Sequence, residues 1–336
     1  MDRLYHWLTL WSVKGLGDAS IKKLWLAFGS AEAIIRADEE ELKRVVGEYK
    51  AKAIKDRALT FEPERVIKLV EEHSIGWLTL EDQAYPPLLK DIDDPPPVLF
   101  YRGRIKNIPL VGVVGTRRPD TYSIGFTRKF VKGLVELGYG VVSGGAKGVD
   151  YTAHSACLDA GGYTVVVLGM GILHIPPYLK RFEDKNALLL SEFLPDANPD
   201  EYTFPRRNRV ISGLSSCLVV IEAGEKSGAL ITAEYAVKQK RPLFVHVGIG
   251  SSERWFGCIN LLNEGKAKFL RGVQDIAGVL VPPAKEDNLL SLLSVPKSID
   301  ELMDLTGLGY QELIEKLSLY EIEGKVVRTG VYYRAV

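Results

Sequence analysis

Four stretches of this chain combine residue types that can hold an anion: GTRRP (115–119), SGGAKGVD (143–150), FPRRNRV (204–210) and EAGEKSGALITAE (222–234). A glycine-rich loop that runs into a helix bares backbone N–H groups at the positive end of a helix dipole, which suits a phosphate. Arg117, Arg118, Lys147 and Lys226 add formal charge to those loops. FPRRNRV is the densest, with Arg206, Arg207 and Arg209 around Asn208 and the apolar VISGL beginning at its last residue. Guanidinium groups are seldom buried unless paired, so the segment either decorates a solvated helix face or meets something anionic. A helix cannot aim four consecutive residues into one crevice, so part contact and part scaffold is expected, with Asn208 or Arg209 turned inward.

Other chemistries are poorly supplied. His154 has no Ser or Cys partner in a recognisable motif, and no paired-carboxylate or metal-ligand spacing is present. It is expected on a helix, facing the neighbouring sheet. GTRRP lacks G-x-G-x-x-G, no suitable acidic residue follows about twenty positions later, and an arginine stands where a pyrophosphate needs close backbone approach, all of which speaks against NAD. Cys157, Cys217 and Cys258 are far apart with no C-x-x-C pair, so neither zinc nor a disulfide framework is indicated. No catalytic residue, metal or cofactor is expected.

The elements that must position the loops can be read from apolar runs. LVGVV (110–114), YGVV (139–142), YTVVVLG (163–169), ALLL (187–190), CLVVI (217–221) and PLFVHV (242–247) are short, apolar and β-rich, with amphipathic stretches between them. Strands apolar on both faces, alternating with helices, imply an α/β protein with a parallel sheet covered on both sides. A Rossmann-like doubly wound sheet is therefore expected, its ligands at the carboxyl ends of the strands. All four loops fall at that edge.

Around this centre, residues 1–80 read as short helices with a cap signal at Asp38. VKGLGDASIKKL reads as the turn of a SAM-like helix-hairpin-helix module. Such a turn can hold a DNA phosphate with help from Lys22 and Lys23, although Asp18 would repel one; an ordinary packing turn is the favoured reading. The proline-rich DIDDPPPVLFYRG (91–103) is the candidate linker. After Pro282 and Pro283 the order helix, helix, helix and two strands about Gly330 reads as a winged helix. Its would-be recognition helix is acidic (Glu312, Glu315, Glu321 and Glu323 against Lys316 and Lys325), and Leu313, Ile314, Leu317, Leu319 and Ile322 suit packing. The expected domains are 1–80, 81–280 and 285–336.

Composition is ordinary for a soluble globular protein, with 46% apolar and 26% charged residues. Net charge is zero, but its distribution is uneven: −4 over residues 1–100, +7 over 101–280 and −3 over 281–336. A localised basic face attracts an anion even when the whole is neutral. LYHWLTLW is too short to span a membrane and carries no signal-peptide pattern. A cytoplasmic protein without membrane insertion is expected.

Taken together, the motifs resemble the DNA processing protein A (DprA/Smf) family. The family's G-S/T-R turn is matched by Gly115-Thr116-Arg117 and its S-G-G-A-x-G-x-D loop by Ser143 to Asp150. Its F-P-x-R-N-R helix is matched from Phe204 to Ser215 and its S-G-x-L-x-T-A helix from Ser227 to Ala236. Departures lie outside these motifs, at Leu173, Pro176, Val247, Asn260 and Glu201. The resemblance implies a non-enzymatic protein that binds single-stranded DNA and loads RecA recombinase onto it in natural transformation, as a homodimer. DNA contacts would come from Gly115, Thr116, Arg117, Ser143, Gly144, Gly145, Lys147, Phe204, Arg207, Asn208, Arg209, Lys226, Ser227 and Gly228. In that picture the loop amides and cations hold phosphates while Phe204 stacks on a base. Two other classes compete. Nucleoside-monophosphate hydrolases of the lysine-decarboxylase-like (LOG) group share a related sheet, with Glu234 in a comparable place here but no P-G-G. A nucleotide-sensing scaffold would hold one small phosphate ligand.

Overall fold

The computed structural model describes residues 1–336 except 184, 249–251, 278–288, 290, 291, 294, 307, 323 and 336. Residues Met1–Val281 form one compact unit and Pro282–Val336 a second. The first unit opens with six helices: α1 (Asp2–Ser12), α2 (Asp18–Phe28), α3 (Ala31–Arg36), α4 (Glu39–Val46), α5 (Glu48–Lys55) and α6 (Pro63–Glu72). The start of α4 is where the sequence places it, with the Asp38 N–H donating to the Glu41 carboxylate at 3.3 Å.

The sheet strands are β1 (Gly76–Thr79), β2 (Val98–Gly103), β3 (Leu110–Gly115), β4 (Gly140–Ser143), β5 (Thr164–Leu168), β6 (Ala187–Ser191), β7 (Cys217–Ile221), β8 (Leu243–His246) and β9 (Lys268–Phe269). Their order is β1-β2-β6-β5-β4-β3-β7-β8-β9. Pairing from β6 through β9 is parallel, while β1 and β2 are antiparallel additions at one edge. The reading of 91–103 as a linker is thus corrected. Pro95, Pro96 and Pro97 precede a strand whose Val98, Leu99 and Phe100 are fully buried, and the proline punctuation hid four apolar β-formers behind it.

Connections over the sheet run through α7 (Pro87–Asp91), α8 (Thr121–Glu136), α9 (Val149–Asp159), α10 (Pro177–Lys180), α11 (Thr203–Leu214), α12 (Ala229–Lys238), α13 (Phe256–Asn263) and α14 (Gln274–Ala277). Side chains alternate between two cores as the pleat requires. Val111 and Val113 of β3 and Cys217, Val219 and Ile221 of β7 face Phe130 and Leu134 of α8 and Cys157 of α9. Leu110, Val114, Leu218 and Val220 face the other way, into a core that also holds Leu4, Trp7 and Leu8 of α1 and Leu24 of α2. The N-terminal helices and one side of the sheet therefore share a single core.

The second unit has β10 (Lys297–Ser298), α15 (Ile299–Thr306), α16 (Tyr310–Ile322), β11 (Val326–Thr329) and β12 (Tyr332–Ala335), with sheet order β10-β12-β11. The helix expected before these elements lies largely outside the described residues, as does Glu323. Leu313 and Leu317 of α16 are buried, as their spacing suggested. Leu319 and Ile322 are exposed, Ile322 at 83%, because the packed stripe runs through Leu313, Leu317 and Tyr320 instead.

Candidate functional site

Successive strands β3 to β6 build the sheet in one direction and β7 to β9 in the other, so the order reverses between β3 and β7. Crevices form where such a reversal splays the loops beyond the strand ends. Here a crevice of about 580 Å³ is lined by Gly115, Thr116 and Arg117 after β3, Lys226, Ser227 and Gly228 after β7, and Phe204, Arg207 and Asn208 of α11. A neighbouring hollow of about 470 Å³ is lined by Gly144, Gly145 and Lys147 and shares Arg117, Phe204 and Arg207. Twelve of the fourteen residues expected from sequence thus line these two spaces, and Ser143 and Arg209 do not. Ser143 lies beneath the loop, its hydroxyl donating to the Val113 carbonyl at 2.6 Å.

The SGGAKGVD loop turns through positive φ at Gly145 (70°) and Gly148 (92°). A Cβ at Gly148 would lie 2.4 Å from the Thr116 carbonyl oxygen, so only glycine fits the crossing of these two loops. Two of the loop amides are already taken. Those of Gly144 and Ala146 donate to Asp150 Oδ2 at 3.2 and 3.4 Å. The Asp150 carboxyl thus ties the loop back onto the start of α9. On the other loop the Ser227 N–H donates to Gly224 O at 2.9 Å. Among the described residues the Gly228 N–H has no partner, and it stands at the start of α12.

Helical geometry divides the FPRRNRV segment by face. Phe204, Asn208 and Ile211 line the crevice. Phe204 is half-buried, and a Cβ at Gly169 would come within 2.7 Å of its ring, so the ring lies on bare backbone. Arg207 reaches the floor, 5% exposed, where Nη1 donates to the carbonyls of Gly144 and Val167 and Nε to Asn208 Oδ1 at 3.2 Å. Burial lowers the Arg207 pKa to about 10, against the pull of Asp150. Burial likewise raises Asp150, with Arg207 opposing. Arg207 lines both hollows, but its Nε and Nη1 are spent within the fold, where Nη1 holds α11 to β5 and to the SGGA loop.

Arg206 and Arg209, three apart, face the helical module instead. Arg209, 2% exposed, meets Glu192, Asp18 (2.8 Å) and Asp94 (3.5 Å). Arg206 meets Asp18 at 2.9 Å and Glu192 at 3.2 Å. Arg209 was expected either among the DNA contacts or turned inward; its partners put it in a buried ion cluster. Burial raises both Asp18 and Glu192, with the arginines pulling them back down. Asp18 stands at the start of α2, and Lys22 Nζ donates to the carbonyls of Asp91 (3.0 Å) and Ile92 (2.7 Å). The helix-hairpin-helix turn is therefore occupied in docking α2 onto the rest of the unit, which agrees with its reading as a packing turn.

Exposed cations remain at the rim: Arg117, Arg118, Lys147 and Lys226. Lys147 Nζ lies 6.0 Å above the Tyr178 ring. His154 is fully buried on α9, with Nδ1 2.7 Å from Thr164 Oγ1, and burial lowers its pKa to about 3. It faces the sheet as expected and cannot serve a ligand. Sequence reasoning missed Arg254, which also lines the crevice, and Glu222, which holds it. Arg254 lies outside any glycine-rich motif, and the φ of 53° at Glu222 has no signal in residue type.

A family model, curated relatives and solved structures all include DNA processing proteins. A family model for DNA recombination-mediator protein A matches residues 76–280, and one for a SAM-like helix-hairpin-helix tandem matches residues 8–58. The DNA processing protein DprA of Bacillus subtilis is 33% identical over 285 residues, covering 82% of this chain and 95% of that protein. Protein Smf of Synechocystis is 37% identical over 286 residues, covering 82% and 72%. Among solved structures, DNA processing protein A of Streptococcus pneumoniae superposes with a TM-score of 0.71 at 32% identity, over 82% of this chain and 97% of that one. DNA processing protein A of Helicobacter pylori, described for its single-stranded DNA binding mode, gives 0.53 at 31% identity, over 60% and 93%. Among the described residues no helix is long and apolar enough to cross a membrane.

Proposed function

The chain belongs to the DNA processing protein A family, and on that premise we propose that it binds single-stranded DNA along the β3/β7 crevice. The observation that carries this is the gathering of Arg117, Lys147 and Lys226, all exposed, around the half-buried ring of Phe204 at one sheet edge. Cations release counterions from a strand's phosphates, and an aromatic face stacks on any base, so affinity without sequence preference follows. The similarity to a Helicobacter pylori protein described for single-stranded DNA binding supports the same reading. Within it, the strand is handed to RecA recombinase in natural transformation, by a homodimer whose second unit is a winged helix that does not read a DNA groove. The acidic content of α16 supports that last point, since a major-groove helix works beside phosphates.

A nucleoside-monophosphate hydrolase is the less supported reading. Glu234, the carboxylate such an enzyme would use, is exposed on α12 and lines neither hollow. The discriminating experiment incubates the full chain with nucleoside monophosphates and, separately, titrates it with oligothymidylates of increasing length. Binding that strengthens with length, with no base released, is expected; released base, or saturation by a mononucleotide, would overturn the proposal.

A further inference from the structure

β7 ends into Glu222, whose backbone has φ 53°, a conformation that glycine adopts freely and a glutamate only where neighbours impose it. Three neighbours do. The Glu222 carbonyl accepts the Thr116 N–H at 3.0 Å, Oε2 accepts the Asp120 N–H at 3.0 Å, and Oε1 accepts Arg254 Nη1 at 2.7 Å. One buried residue thus fixes the loop after β3 and the turn after β8 together. That turn, Glu253–Trp255, is anchored by buried Trp255, and Cys258 behind it donates its N–H to the Ala223 carbonyl at 3.2 Å.

Arg254 stands on this platform. Nη1 also donates to the Arg118 carbonyl at 2.9 Å, while Nε and Nη2 have no partner among the described residues. The side chain is 52% exposed and lines the crevice with Arg117, Lys226 and Ser227. Glu222 also lines the crevice, but each of its carboxylate oxygens already accepts a hydrogen bond, so the donors left for a ligand are those of a guanidinium already held in place. A fork fixed in advance loses little freedom on meeting an anion, and its planar geometry matches two phosphate oxygens.

Resting on the reading of the crevice as a single-strand site, we propose that Arg254 is a further phosphate-binding residue on the β8 side. The cation track then runs along the carboxyl edge from Lys147 near β4, past Arg117 at β3 and Lys226 at β7, to Arg254 beside β8. Four adjacent strands at about 4.8 Å spacing span roughly 14 Å, which is room for more than one phosphate.

The test measures affinity of the full chain for an oligothymidylate across a salt series, for Arg254→Ala, Arg254→Lys, the double variant Glu222→Gln/Arg254→Gln, and Arg117→Ala. The double variant keeps a neutral hydrogen bond and leaves no orphaned carboxylate. Arg254→Ala and the double variant should bind roughly tenfold more weakly, with the salt slope shallower by about 0.7, the value for one single-strand phosphate contact. Arg254→Lys should keep the slope. If Arg117→Ala weakens binding while both Arg254 replacements leave affinity and slope unchanged, the proposal falls and the crevice reading stands. Weakened binding with an unchanged slope would make Arg254 a packing residue and also overturn it. If neither Arg117→Ala nor Arg254→Ala alters binding, the crevice reading falls with it.

Discussion

Replacing Arg209 by methionine should damage the fold and spare the proposed DNA crevice. Arg209 is nearly inaccessible and lies against Asp18, Glu192 and Asp94. Methionine fills most of its volume but leaves two buried carboxylates facing each other, with only the half-exposed Arg206 to answer them. Removing one partner of a buried ion cluster costs about 3–5 kcal/mol. Residues Met1–Val281 act as one compact unit, whose unfolding entropy at about 2.1 cal/mol/K per residue is near 0.6 kcal/mol/K. The melting temperature should therefore fall by roughly 5–8 °C. The deficit should narrow at acidic pH: burial raises the folded-state pKa of Asp18 and Glu192, so stability returns as pH falls through those raised values and the acids become neutral. Converting all three residues, Asp18→Asn, Glu192→Gln and Arg209→Met, should recover most of the loss, since the orphaned charges go too. Calorimetry gives the melting temperatures, and a salt-dependent titration with single-stranded DNA should show the slope of the Arg209→Met protein unchanged. A variant that melts like the parent and has a shallower salt slope would refute the division of the FPRRNRV segment into contact and scaffold faces.

Phe204→Leu should cost about 1–3 kcal/mol of single-strand affinity with no change in salt slope, because a stacking face is lost but no charge; a lower melting temperature with binding intact would make Phe204 a core residue only. His154, whose pKa burial lowers from 6.5 to about 3, is neutral in the fold and charged in the unfolded chain below pH 6.5. Its contribution is complete above pH 6.5 and is lost as pH falls, at up to about 1.4 kcal/mol per pH unit. Chemical denaturation at pH 6.5 and 5.0 should show the parent losing up to about 2 kcal/mol more than His154→Asn, and equal losses would contradict this. Truncation after Val281 should keep single-strand affinity within about twofold, the second unit carrying a net charge of −3; loss of double-strand binding alone would restore that unit as a groove reader.

Most of the sheet was legible because β3 to β8 are each an apolar run and the loops after β3, β4, β5 and β7 carry glycine, whereas β9, two exposed residues, has no such signal. Register within α11 was not. Arg207 and Arg209 are two positions apart in a run of similar residues, and what separates their roles is Asp18, 191 positions from Arg209. No local pattern announces a partner at that distance. The occupied amides of Gly144 and Ala146 escaped for the opposite reason. Asp150 belongs to the motif itself, but only the fold shows that its carboxylate turns back onto the loop. Strand β2 hid behind three prolines, since punctuation that marks a linker also marks the start of an edge-side strand. Arg254 and Glu222 carry meaning only as a pair, through a backbone conformation that residue type does not advertise.

If a strand's phosphates are neutralised in the crevice, the salt dependence of single-strand binding must show it. With Arg117, Lys147, Lys226 and Arg254 in contact, the logarithm of affinity should fall with the logarithm of salt concentration at a slope of roughly −2 to −3, at about 0.7 per contact. Arg117→Ala should make that slope shallower by one such step while the protein stays folded. A parent slope near zero, or a folded Arg117→Ala protein with the parent's affinity and slope, would show that the crevice does not hold the strand.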